Sequence, residues 1–167
     1  MMLRPWPRTL DRYATDDTYQ RAAAWLAGCP DVADWGGARG YFRRFLPPTV
    51  DYTLVDGTCQ AHGQVLADLR VYKIASSGIL LRHVLDNTPE WRPILDNALA
   101  AFAVRMVVVT FTPPSPWTVR IDHANGYPIW QFDREDLRAL MRPHLVHEED
   151  VETSHPEHVF YLARRPQ

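Results

Sequence analysis

Short apolar runs alternate along the chain with stretches that carry a helical pattern. Residues 17–28 follow Asp16, a typical N-cap residue, and contain good helix formers up to Gly28, so they predict a first helix. Apolar residues recur at helical spacing over 91–102. A short helix is also predicted over 40–46, and Asp133 can cap another over 134–142.

Apolar and β-branched runs between these segments predict strands. They lie at 31–37, 51–57, 64–68, 71–77, 105–112, 145–151 and 158–164. The run 105–112 is wholly apolar at its centre, which is typical of a strand buried on both faces. Strands that alternate with helices predict a mainly parallel sheet covered on both sides. We therefore expect a three-layer, Rossmann-like α/β fold whose last two strands form an antiparallel pair.

The length of 167 residues fits a single domain over 1–167, with an N-terminal helical segment of about 1–28. Residues 118–131 predict a β-hairpin insert that turns at Asn125-Gly126. No apolar run approaches the roughly 20 residues that span a bilayer, and the N-terminus lacks a signal peptide, so we expect a cytoplasmic protein without a membrane segment. The net charge of −2 and scattered arginines predict no nucleic-acid binding.

Three glycines crowd behind an acid in the stretch Asp34-Trp-Gly-Gly-Ala-Arg-Gly-Tyr-Phe42. A glycine loop between a strand and a helix brings backbone N–H groups close to a ligand, and an acid after the next strand, here Asp56, can accept hydrogen bonds from ribose hydroxyls. This favours a nucleoside-containing cofactor. The alternative is a tight turn without a ligand. The glycine spacing differs from the dinucleotide fingerprint, which disfavours a nicotinamide dehydrogenase.

Taken in order, these segments resemble the class I S-adenosylmethionine-dependent methyltransferases over nearly the whole chain. The matching stretches are DWGGARGYF, YTLVDG, SSGILLRHVLDN, RMVVVTFT and the terminal pair of strands. The resemblance implies S-adenosylmethionine as cofactor and an enzyme that transfers its methyl group to an unidentified, small-molecule acceptor.

The resemblance also implies which residues bind the cofactor. They are Asp34, Gly36, Gly37, Gly40, Asp56, Asp68 and Ser76. The glycine loop would pass the amino-acid part of the cofactor, Asp56 would bind the ribose and Asp68 the adenine amino group. Ser76 would lie where the fourth strand ends, beside the transferable methyl group.

His83 resembles the histidine of the small-molecule members that carry a valine-leucine-x-histidine sequence at this place. A histidine titrates near neutral pH and could take the proton that a hydroxyl acceptor loses, so His83 is the candidate catalytic residue. It could equally be a partly buried histidine paired with Asp86. Tyr127 and Trp130 of the hairpin are the candidate substrate wall, although they could instead pack on the sheet.

Two departures from the family pattern keep a second interpretation open. Scarcely any room for a helix remains between Asp56 and Asp68, and Arg39 stands where the family has a small residue. A non-catalytic binding or assembly module of the same fold is the alternative function. A homo-oligomer or a protein partner is possible in either case, because so short a chain leaves the site to be closed by the hairpin or a second subunit.

Two H-x-x-H pairs, His144/His147 and His155/His158, lie among acids near the C-terminus. Residues three apart on a strand point to opposite faces, so neither pair predicts a metal site. We expect this acidic stretch to be a solvated edge.

Overall fold

The computed structural model describes residues 16–58, 61–111, 115–122, 128–153 and 156–164. The strands are β1 (Asp31–Trp35), β2 (Asp51–Asp56), β3 (Val65–Leu66), β4 (Ser76–Arg82), β5 (Phe102–Thr110), β6 (Val119–Asp122), β7 (Pro128–Gln131), β8 (Leu145–Val151) and β9 (Glu157–Ala163). The α-helices are α1 (Asp17–Trp25), α2 (Trp91–Ala101) and α3 (Arg134–Met141), and short 3₁₀ helices cover Tyr41–Phe45 and Leu85–Asn87.

Seven strands form one sheet in the order β3-β2-β1-β4-β5-β9-β8, and β6 pairs with β7 in a separate hairpin. The pairs from β3 to β5 are parallel, whereas β9 runs antiparallel to both β5 and β8. The predicted fold class is therefore confirmed. Because β9 runs backwards, its first residues lie beside the end of β5, with His158 opposite Thr110. We call the edge where β1, β2, β4 and β5 end and β9 begins the carboxyl edge.

The central strands bury both of their faces, so the domain has three layers. One face of the sheet carries Trp35, Leu81 and Met106 in an apolar cluster that also contains Leu95 of α2 and Leu137 of α3. The opposite face packs Leu80 and Val107 against residues of α1 and the first 3₁₀ helix. This burial explains the uninterrupted apolar centre of the 105–112 run.

The fourth strand lies later in the chain than predicted. It spans Ser76–Arg82, whereas the predicted run 71–77 lies mostly outside the sheet, with Val71 and Ile74 exposed. The physical reason is register: Gly78 to Leu81 pair with β1, and Ile79, Leu80 and Leu81 are fully buried between the layers. The correction moves Ser76 from the end of β4 to its beginning.

The edge of the sheet at β3 is short. β3 contains only Val65 and Leu66, both exposed, and no helix is found in the described residues between β2 and β3. The described residues of this crossover, 57–58 and 61–64, are therefore turns and loop. Asp133 caps α3 as predicted, since its side chain accepts the Glu135 N–H. No described helix is long and apolar enough to cross a membrane.

Candidate functional site

The glycine loop leaves β1 at the carboxyl edge and leads into the first 3₁₀ helix. Gly36 has φ +75° and Gly40 φ +71°, and the Gly36 N–H donates to the Val55 carbonyl of β2 at 2.6 Å. A Cβ at Gly37 would overlap the carboxylate of Asp34. The local backbone therefore demands small residues here, and it keeps the loop close to both β1 and β2.

Asp34 is buried beneath this loop. The Tyr52 hydroxyl donates to its Oδ2 at 2.7 Å. Burial raises the pKa of Asp34 to about 6, although the Tyr52 hydrogen bond and the positive charge of Arg82 act in the opposite direction. The loop is thus built over a desolvated acid that a second strand holds in place.

Asp56 ends β2 and binds the middle of the glycine loop. Its Oδ2 accepts the Ala38 N–H at 3.0 Å, while Oδ1 accepts the N–H and the hydroxyl of Thr58 at 2.8 and 2.9 Å. Ala38 has φ +51°, an unfavourable conformation for a residue with a side chain. Asp56 therefore stabilises the strained loop. A carboxylate has about four acceptor positions, so these three bonds leave capacity for a ligand hydroxyl.

Asp68 follows β3, and its neighbour Ala67 donates its N–H to the Asp56 carbonyl. The Asp68 carboxylate is bound by Arg70, which also pairs with Glu90 across the surface. The hydrogen bonds from Arg70 lower the pKa of Asp68. The structure thus brings Asp68 to the same edge of the sheet as Asp56. The carboxylate of Asp68 is paired with Arg70 there.

The prediction for Ser76 is wrong. This residue begins β4, pairs with Phe102 at the start of β5 and donates its hydroxyl to Asp31 Oδ2 at 2.5 Å. Asp31 is the first residue of β1, so the contact lies at the amino end of the sheet, opposite the glycine loop. The strand that was expected to end at Ser76 ends at Arg82, which brings Arg82 and His83 to the carboxyl edge instead.

His83 follows β4 and has φ +55°. Its N–H donates to the Val109 carbonyl at 3.0 Å, and its own carbonyl accepts from Asn87 Nδ2 at 2.6 Å. The ring Nε2 lies 2.5 Å from Oε1 of Glu157, and the ring packs on Phe111. Pairing with Asp86 was the alternative for this histidine, and the structure assigns Glu157 as the carboxylate partner.

Glu157 is a site residue that the sequence interpretation missed. It begins β9 and is 2% exposed, and its Oε1 also accepts from Arg82 Nη2 at 2.9 Å and from the Thr18 hydroxyl at 3.2 Å. Burial acts to raise the pKa of Glu157, but the hydrogen bond and charge of His83 and the charge of Arg82 leave it lowered. No local pattern marks this residue, because its partners lie 74 to 139 positions away.

The expectation of a solvated acidic edge is therefore wrong for Glu157 and His158. His158 is 3% exposed, and its ring nitrogens contact Asp150 at 2.9 Å and Glu148 at 3.3 Å. Arg134 and Arg138 of α3 form ion pairs with the same two acids. Within the residues that the structure describes, no group of three or more histidines, cysteines and acids could hold a metal ion. His155 lies outside those residues.

Asp86 is a second buried acid near His83 in the chain. It is fully buried, and its Oδ1 accepts the Phe111 N–H at 3.0 Å. Burial raises its pKa to about 7, the backbone hydrogen bond opposes this shift and the charge of Glu157 adds to it. The carboxyl edge thus contains buried acids with different proton affinities, which is common where groups are arranged for proton transfer.

The hairpin β6–β7 packs beside the 3₁₀ helix that follows His83. Trp130 lies on β7, is half-buried and contacts the apolar cluster of the sheet. Tyr127 lies outside the described residues. Packing on the core is therefore found for Trp130, and its position beside the 85–87 segment is compatible with a wall near His83.

Cavities between the described residues are found away from this edge. A cavity of about 400 Å³ lies between α1 and the first 3₁₀ helix, where Leu26 and Phe45 line it. A second one, of about 210 Å³, is lined by Asp31, Asp51 and Ser76 at the amino end of the sheet. Neither is lined by the glycine loop, Asp56 or His83, so neither belongs to the polar cluster at the carboxyl edge.

The strand order matches the Rossmann-like fold of solved S-adenosylmethionine-dependent methyltransferases. The 1,6-didemethyltoxoflavin-N1-methyltransferase of Burkholderia thailandensis, solved with 1,6-didemethyltoxoflavin and S-adenosylhomocysteine, matches with a TM-score of 0.71 and 18% identity over 90% of this chain and 80% of that chain. The magnesium protoporphyrin IX methyltransferase of Synechocystis PCC 6803, with bound S-adenosylmethionine, has a TM-score of 0.70 and 14% identity over 90% and 79% of the two chains.

An N-methyltransferase from Bradyrhizobium japonicum WM9 in complex with S-adenosylhomocysteine matches with a TM-score of 0.62 and 13% identity, over 90% of this chain and 85% of that chain. No protein-family model and no curated protein sequence matches the chain. At these identities the likeness establishes the fold.

Proposed function

We propose that the protein transfers a methyl group from S-adenosylmethionine to a small-molecule acceptor at the carboxyl edge. One observation carries this proposal: Asp56, at the end of β2, binds the backbone of a strained glycine loop at the end of β1. Ligands of open α/β sheets bind outside the carboxyl ends of the strands.

The residues of this edge fit the cofactor. The loop from Gly36 to Gly40 has little side-chain bulk, which allows the amino-acid part of a ligand to approach its backbone. Asp56 would use its remaining acceptor position for ribose, and Asp68, which follows β3, would face the adenine. Asp34 would contribute by supporting the glycine loop, because its carboxylate lies buried beneath that loop.

When bound, S-adenosylmethionine supplies an electrophilic methyl group on a positively charged sulfur. The acceptor must then be aligned with that methyl group, and positioning accounts for much of the rate in such reactions. His83 follows β4, two residues before the 3₁₀ helix that packs beside the hairpin, and it would accept the proton that the acceptor releases.

The second candidate is a non-catalytic binding or assembly module of the same fold. It is favoured by the β3 edge, where Val65, Leu66, Val71 and Ile74 are exposed and no described helix covers them. It is also favoured by the ion pair between Asp68 and Arg70, which occupies the adenine-side acid. A partner protein would then cover the surface that a helix covers in a larger domain.

Calorimetric titration with S-adenosylmethionine and, separately, S-adenosylhomocysteine distinguishes the two. We expect Asp56→Ala to weaken binding by about 1–3 kcal/mol, since the loop and ribose partners of the carboxylate are left unmatched. Asp51→Ala is the matched control, because Asp51 is exposed at the opposite end of the same strand, and it should bind like the wild type.

One result would contradict the proposal, and another would contradict only the role of Asp56. Absence of heat and of a thermal shift at millimolar ligand in the wild type would favour the binding module. Unchanged affinity in a folded Asp56→Ala variant would remove the ribose role of Asp56 while leaving the cofactor assignment intact.

A further inference from the structure

We propose that Glu157 is the positioning residue for His83: its carboxylate accepts a hydrogen bond from Nε2–H, which leaves Nδ1 as the basic nitrogen, and it balances the charge of the protonated ring. The inference rests on the proposed function. It adds a residue of the last strand to a site otherwise built from the first four strands.

The geometry begins with one oxygen. Oε1 of Glu157 lies 2.5 Å from Nε2 of His83 and also accepts from Arg82 and Thr18. The side chain of Glu157 is fully buried, and that of His83 is 4% exposed. A buried carboxylate against one ring nitrogen selects the tautomer in which that nitrogen carries the proton. The neutral ring then carries its lone pair on Nδ1.

The backbone holds His83 in this position despite strain. Its φ of +55° is unfavourable for a residue with a side chain, and it is retained by the bonds to the Val109 carbonyl and from the Asn87 amide. Strain of this kind persists where the surroundings over-determine a conformation, and it is concentrated at functional sites. Among the described residues, Ala38 of the glycine loop is the other non-glycine residue with positive φ.

The charges around the pair determine its proton affinity. Arg82 of β4 pairs with Glu157 and lies over the ring of Tyr19 from α1. Asp86 follows β4 and interacts electrostatically with Glu157. Asp34 of β1 interacts with Arg82, and Asp150 of β8 binds His158, the residue after Glu157. His83 lowers the pKa of Glu157, and by reciprocity Glu157 raises the affinity of the ring for a proton.

The chemistry follows from this arrangement. A hydroxyl or N–H acceptor loses one proton for each methyl group it gains. Nδ1 of His83 is buried, so it would take that proton from an acceptor bound directly against the ring, while Glu157 balances the charge of the ring, and the proton would pass to solvent after the product leaves. The class of acceptor is therefore one that must lose a proton on methylation, such as an O–H or N–H group, as opposed to a thioether.

Nuclear magnetic resonance of the ¹⁵N-histidine-labelled protein tests the inference without an acceptor. The spectrum of His83, one of seven histidines, is assigned from its loss in His83→Asn, since asparagine tolerates positive φ. The ring is titrated in the wild type, in Glu157→Gln, which keeps a hydrogen-bond acceptor and removes the charge, and in Glu135→Gln. Glu135 is an exposed glutamate of α3 and serves as the matched control.

We expect the neutral ring of the wild type to carry its proton on Nε2. Glu157→Gln should lower the proton affinity of the ring about tenfold or more, and Glu135→Gln should leave it unchanged. Once an acceptor is found, the acid limb of the kcat profile should move to lower pH by the same factor, with KM for S-adenosylmethionine unchanged. A proton on Nδ1 in the wild type, or an unmoved titration in Glu157→Gln, overturns the inference. If Glu157→Gln does not fold, the wild-type tautomer decides.

Failure of this inference is distinguishable from failure of the proposed function. Cofactor binding with an unmoved His83 titration leaves the methyltransferase function in place and removes Glu157 from it. The other outcome is that Glu157→Gln shifts the titration of His83 but the wild type binds no cofactor. This result overturns both the proposed function and the positioning role, and the pair is then a structural contact between β4 and β9.

Discussion

Replacement of Gly36 by alanine tests how tightly the glycine loop is packed against the segment that carries His83. Gly36 has φ +75°, and an added Cβ would overlap the Val84 Cγ2 methyl group. The left-handed backbone costs about 1–2 kcal/mol with a side chain, and overpacking costs about 1–3 kcal/mol. The loss of unfolded-state freedom offsets about 0.4–1 kcal/mol. We expect a net loss of about 2–4 kcal/mol in the free energy of unfolding.

Gly28→Ala separates the two contributions. Gly28 also has positive φ, +89°, but an added Cβ meets nothing within 4 Å. This variant should therefore lose only the backbone share, about 1 kcal/mol after the same offset. Urea unfolding measures both losses as changes in the midpoint at constant slope.

A double-mutant cycle isolates the contact itself. Removing the Val84 methyl groups in Gly36→Ala/Val84→Ala should recover about 1–3 kcal/mol relative to the sum of the single variants, since the overlap is gone. Equal losses in the two glycine variants, or an interaction energy near zero, would refute the steric explanation and leave backbone strain as the whole effect.

Two further predictions concern stability. The pKa of Asp86 is raised to about 7, so between about pH 4 and 7 the folded state holds a proton that the unfolded state has released, and stability falls as pH rises. Asp86→Asn keeps an acceptor for the Phe111 N–H and should stabilise the protein by on the order of 2–4 kcal/mol at pH 8 and little at pH 4. Thermal unfolding at the two pH values measures the difference. An equal effect at both pH values argues against the burial of an ionised Asp86. Asp133→Ala should cost about 1 kcal/mol through loss of the α3 cap, measured by chemical denaturation. Asp16→Ala should cost less, because Asp16 makes no side-chain capping bond to α1, and a reversed order would contradict the capping argument.

Much of the fold could be predicted because its signals are local. The wholly apolar centre of β5 marks a strand buried on both faces, and the glycines after Asp34 mark the end of β1. Asp56 stands directly before a glycine at the end of β2. Residues at strand ends of a parallel sheet share one edge, so Asp34 and Asp56 could be placed near each other without any long-range information.

The remaining site residues could not be placed in this way, because tertiary pairing decides them. The runs 71–77 and 76–82 both contain apolar residues, and only the pairing with β1 and β5 selects the second one. That choice determines whether Ser76 or His83 stands at the carboxyl edge. Glu157 lies in a charged stretch that is typical of a solvated surface. It is placed at the carboxyl edge only because β9 runs antiparallel to β5.

The reversed strand β9 also has a consequence for the order in which the protein can be completed. Glu157 bonds to Thr18 across 139 positions and to Arg82 across 75. A nascent chain that has released α1 and β4 from the ribosome therefore still lacks the carboxylate between them. Until β9 inserts between β5 and β8, Arg82 can contact Thr18 and Tyr19 but not the carboxylate of Glu157, and this insertion closes the longest loop among these contacts. Completion of the polar cluster thus reports that the last strand has been synthesised and docked.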